Sequence, residues 1–134
     1  MKSQTKLTVV NMSTTETKLD AIRAAFEQDI NTHERATEEA FAKLEKMNIS
    51  HKDYKQANWQ FGLNQYVAGY LRKVKESTIE SGEPIKTIER RIRFHAFRQR
   101  TKGALDDQQE ISVAQATVAV TLEGYINRFF ETEA

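Results

Sequence analysis

The sequence has no cysteine. That excludes disulfides, thiol catalysis and cysteine-ligated zinc or iron–sulfur centres, and it agrees with a reducing compartment. One proline and five glycines are too few breakers for a strand-and-turn fold and favour long helices. No apolar run approaches the roughly 20 residues that span a bilayer. Near the start the only apolar run, residues 7–10, is too short for a secretory segment. These features place the chain in the cytoplasm, of its own cell or of a host. An excess of charge is missing too: the formal net charge is +1, which argues against a generally sticky polycation.

What is present is helical periodicity. Leu19, Ile22, Phe26, Ile30, His33, Thr37, Phe41 and Leu44 recur at spacings of three and four, which predicts a helix over about residues 14–47. Ser13 with Glu16 forms a capping-box pattern at its start. Such a helix is roughly 50 Å long, so it either breaks at Asn31-Thr32, two poor helix formers, or packs partly on another subunit. Residues 1–12 read as a short extended tail, because Lys6-Leu7-Thr8-Val9-Val10 has β-propensity.

Ser50 and Asp53 repeat the capping pattern before a second helix that runs to about Thr78, with Trp59, Leu63, Tyr66, Val67, Tyr70 and Val74 on one face and Phe61 nearly opposite. Gly62 and Gly69 share a stripe of it, either for close approach of a neighbouring helix or as tolerated cost. Ser81-Gly82-Glu83-Pro84 is the strongest break, and Pro84 suits the first turn of a third helix. That helix runs to Lys102, with Gly103 placed to terminate it. A fourth helix covers about residues 107–130, with Ile111, Val118, Leu122, Tyr125, Ile126 and Phe129 on its core face. The expected architecture is all-α: a four-helix, bundle-like single domain over residues 13–134, preceded by the tail.

Catalytic and metal motifs are absent. Glu three residues before His, the mark of a di-iron bundle, fails at His33, His51 and His95, which have Ile30, Asn48 and Ile92 there. Asp29 and His33 are one turn apart and supply half a metal site or a simple polar pair. No phosphate-binding glycine loop and no nucleophile elbow occurs. The expectation is therefore a non-enzyme with no metal and no cofactor.

The third helix is the most informative segment. It carries Lys86, Arg90, Arg91, Arg93, Arg98, Arg100 and Lys102, opposed only by Glu89. At 100° per residue Ile85, Ile88, Ile92 and Ala96 make the core face. Arg91, His95, Arg98 and Lys102 line one flank, and Lys86, Arg93 and Arg100 the other. Phe94 and Phe97, near Arg90, point outward. Three readings follow. The cations pair with the acids of helices one and four, and the phenylalanines are buried against a second helix. Or the arginines grip phosphates while the rings stack on unpaired bases. Or the face docks on an acidic protein.

The functional expectation is a small regulatory or inhibitory protein that docks on a larger protein, a build common among phage and plasmid regulators. Nucleic-acid binding through residues 85–102 is the alternative. Homodimer formation is expected from the long first helix and from Phe61, Phe94, Val113 and Val120, which lie off the main apolar faces.

Overall fold

The structure, a computed structural model, describes the backbone of residues 2–130 and the side chains of residues 16–130. Four helices account for nearly all of it: α1 (Lys2–Glu45), α2 (Tyr54–Val74), α3 (Ile85–Leu105) and α4 (Gln109–Phe129). A π-helical turn, Lys75–Ile79, extends α2. No strand occurs among the described residues, so the domain is all-α and bundle-like as expected, and no helix among them is long and apolar enough to cross a membrane.

The readings for the start of α1 and for a break within it are corrected. Residues 2–12 are helical rather than extended. They contain no Gly or Pro, and extending an existing helix adds a hydrogen bond per residue without a new nucleus. Position 13 lies inside α1 and is no helix start; its side chain is outside the described residues. Nor does the helix break at Asn31-Thr32. The Thr32 and Thr37 hydroxyls donate back to the carbonyls of Gln28 and His33 at 2.9 and 2.7 Å, so both side chains find their partners within the helix.

The remaining boundaries follow local chemistry. Asp53 occupies the cap position of α2 but caps nothing with its side chain; instead its N–H donates to His51 Nδ1 at 3.0 Å. Ser50 turns the preceding loop by donating from its N–H and hydroxyl to Asn48 Oδ1 at 3.1 and 2.7 Å. Gly82 takes φ +78, a conformation costly for any other residue. Pro84 then accepts from the N–H groups of Thr87 and Ile88 and starts α3.

The expectation that Gly103 ends α3 is also corrected, since the helix continues to Leu105. A Cβ at Gly103 would sit 3.2 Å from Ser112 O and 3.3 Å from Ala116 N. The missing side chain lets α3 approach the backbone of α4, and Ser112 Oγ donates to Gly103 O across the contact. Gly62 and Gly69 have open space where a Cβ would be, so close approach explains neither.

The helices pack mainly as two hairpins, α1 on α2 and α3 on α4, joined where α2 meets α4. Ile22, Phe26 and Ile30 of α1, Val67, Leu71 and Val74 of α2, Ile88 and Ile92 of α3, and Val118, Leu122, Tyr125 and Ile126 of α4 form the core. Each such side chain stabilises by about 1.5–3 kcal/mol on burial. Phe26 and Tyr125 meet at a ring separation of 4.5 Å. Between α2 and α3 the tyrosines do the bridging: Tyr66 donates to Gln99 Oε1 at 2.8 Å, and the Tyr70 hydroxyl lies 3.0 Å from His95 Nδ1. Ile111, expected in the core, is 40% exposed, and Phe41, which fits the helical period of α1, is 50% exposed with its ring 5.8 Å from that of Phe61.

Candidate functional site

Winding α3 fixes what each side chain meets. The inner face buries Ile88, Ile92, Ala96, Gln99 and Gly103. The outer face leaves Phe94 56%, Phe97 69% and Leu105 79% exposed. Burial of the phenylalanines against a second helix is thereby corrected: among the described residues no helix covers them, because α3 has its neighbours, α4 and the tyrosines of α2, on its other side. The Phe94 ring meets that of His95 edge to face, at 5.8 Å between centroids.

The basic residues divide into two sets. Arg91 is held by Glu83 at 3.1 Å and by Ser77 O. Arg93 pairs with Glu89 one turn earlier at 3.0 Å. Arg100 and Glu123 of α4 form a two-pronged pair, which holds the Glu123 carboxyl below and the Arg100 guanidinium above their ordinary values. Among the described residues Lys86, Arg90, Arg98 and Lys102 have no carboxylate partner, and none of the cations of α3 pairs with α1. Intramolecular pairing thus accounts for Arg91, Arg93 and Arg100 and leaves the rest.

The unpaired set and the exposed rings coincide. Arg90, Phe94 and Arg98 succeed one another at one-turn spacing, and Phe97 lies beside them, so two rings sit between two free guanidinium groups. Leu105 extends the strip. Its place in the strip is not legible in the sequence, because Gly103 marks an end that the helix does not have. His95, on the flank, is half-buried against Tyr70; burial, and then the charges of Arg98 and Arg91, push its imidazole below the ordinary histidine value.

Other polar groups are absorbed by the fold. Asp29 and His33 do not converge: Asp29 accepts from the Tyr125 hydroxyl, and His33 Nδ1 meets Asn64 Oδ1 at 2.7 Å. No three potential metal ligands cluster among the described residues. A groove of about 560 Å³ runs between the C-terminal part of α1 and the start of α2, lined by Ala36, Ala40 and Ala57 together with Glu39, Lys43 and Asp53. It lies on a different helix pair from the strip on α3. Compared with known proteins, the chain matches no family model, no curated protein and no solved structure.

Proposed function

We propose that the chain is a non-enzymatic, cytoplasmic regulatory or inhibitory protein that docks on a larger protein through the outer face of α3. The observation that carries this is the coincidence of Phe94 and Phe97, 56% and 69% exposed, with Arg90 and Arg98, which have no carboxylate partner among the described residues. Aromatic and arginine side chains dominate interface anchors. An apolar centre rimmed by free guanidinium groups fits a partner surface that is apolar at its middle and acidic at its edge. Forming that contact covers rings worth about 1.5–3 kcal/mol each when fully buried. The positions are held ready, because the inner face of the same helix is locked into the core.

The same rings and cations are the observation behind a second reading, stacking on unpaired bases with phosphates on the arginines. The near-neutral net charge of +1 and the internal neutralisation of Arg91, Arg93 and Arg100 favour the protein partner.

The test is photo-crosslinking from benzoylphenylalanine placed at Phe97, in cells that express the chain, with the same group at the exposed Gln65 as control. The expected result is an adduct with a larger protein from position 97 alone, lost with Arg90→Gln and Arg98→Gln. An adduct with nucleic acid would move the conclusion to the second reading. An adduct only with a second copy, or none, contradicts docking on a larger protein.

A further inference from the structure

The chain carries a surface that complements its own basic strip. On α1, Glu38, Phe41 and Glu45 succeed one another along one side of the helix, and Ile49 follows in the loop. Phe41 is 50% and Ile49 81% exposed. Among the described residues neither Glu38 nor Glu45 has a basic partner, although Glu34, one turn earlier, pairs with Arg72. The pattern is acid, ring, acid over about 10 Å of helix; on α3 it is base, ring, base, Arg90, Phe94 and Arg98, over about 12 Å. Opposite charges flank an apolar centre at matching spacing. Within one chain the two surfaces cannot meet, since α1 is packed on α2 and α3 on α4, and α1 and α3 are not packed together.

We infer that a second copy of the chain is an occupant of the α3 strip: Glu38 and Glu45 of one copy seat against Arg90 and Arg98 of another, with Phe41 and Ile49 against Phe94 and Phe97. The inference rests on α3 being a docking face and adds its regulation. Self-association covers the strip, and a larger partner must displace the second copy to reach it. Two such contacts exchanged between two copies close a dimer; contacts passed on head to tail build longer assemblies.

Sedimentation equilibrium from micromolar to submillimolar concentration tests this. The wild type is expected to rise above the monomer mass of 15.4 kDa as concentration increases. Glu38→Lys with Glu45→Lys, and separately Arg90→Glu with Arg98→Glu, are each expected to weaken association at least tenfold. An equimolar mixture of the two reversed variants is expected to restore it, because each reversed strip then faces its opposite. All four positions are exposed, and circular dichroism confirms that each variant is folded. A wild type that stays monomeric at every concentration overturns the inference. So does association unaffected by either reversal, or a mixture that remains monomeric. The outcome is separable from that for the larger partner, since Glu38→Lys with Glu45→Lys leaves α3 intact. If α3 docks on a larger protein, crosslinking from position 97 persists in that variant whatever its mass.

Discussion

The two faces of α3 are made from one stretch of chain and do opposite things. The inner face consists of Ile88, Ile92, Ala96, Gln99 and Gly103, every one buried. The outer face presents Arg90, Phe94, Phe97, Arg98 and Leu105, every one exposed. Side chains as large and apolar as those of the core stand on the surface a few ångströms of helix circumference away from it. Folding explains the first set completely and the second not at all. The comparison separates residues that hold the domain together from residues available to bind.

The sharpest way to break that comparison is truncation on each side. Ile92→Ala leaves a cavity in the core cluster that Ile92 shares with Ile88 and Leu122 and is expected to cost about 2–5 kcal/mol in urea unfolding. Phe94→Ala and Phe97→Ala remove more atoms, yet each is expected to stay within about 0.5 kcal/mol of wild type. A loss at Phe94 as large as that at Ile92 would place the ring in the core.

Glycines give the next contrast. Gly103→Val drives two methyl groups into the backbone of α4 and is expected to destabilise by about 1–3 kcal/mol. Gly69→Ala meets open space and replaces the poorer helix former, so it is expected to stabilise by roughly 1 kcal/mol. Thermal unfolding midpoints of the two variants should move in opposite directions.

The smallest effect concerns the border between the faces. The imidazole of His95 is pushed below its ordinary 6.5 by burial and then by Arg98 and Arg91. Folding therefore favours its neutral form. This contribution is complete above pH 6.5 and is lost as pH falls from there through the depressed folded value. Thermal unfolding should show that loss, and Arg98→Gln, by removing one repelling charge, should raise the histidine value followed by NMR. No upward movement would mean that the guanidinium does not act on the ring.

The sequence made the four helices legible because their apolar spacing is regular and Ser81-Gly82-Glu83-Pro84 interrupts it. The outward placement of Phe94 and Phe97 was legible from the same wheel. What escaped it depends on tertiary geometry. Gly103 looks like a terminator in one dimension, and only the nearness of Ser112 and Ala116 shows why a glycine is there. Gln99 and Asn64, both buried, gave no warning, since their partners Tyr66 and His33 are about thirty residues away. Which cations of α3 are free was equally hidden. Glu123 neutralises Arg100 from another helix, while among the described residues no acid of α1 pairs with a cation of α3. The acidic end of α1 was not legible because Phe41 fits the helical period, whereas its ring meets Phe61 of α2 at 5.8 Å and still stays 50% exposed.

The most direct test of the docking face is the affinity of the protein captured at position 97 for wild type and for the Phe94→Ala, Phe97→Ala double variant, measured at equal stability of the two. The account predicts a loss of about 2 kcal/mol or more, roughly thirtyfold in Kd, as expected for aromatic anchors. Unchanged affinity would contradict it and show that the exposed rings of α3 are not the binding surface.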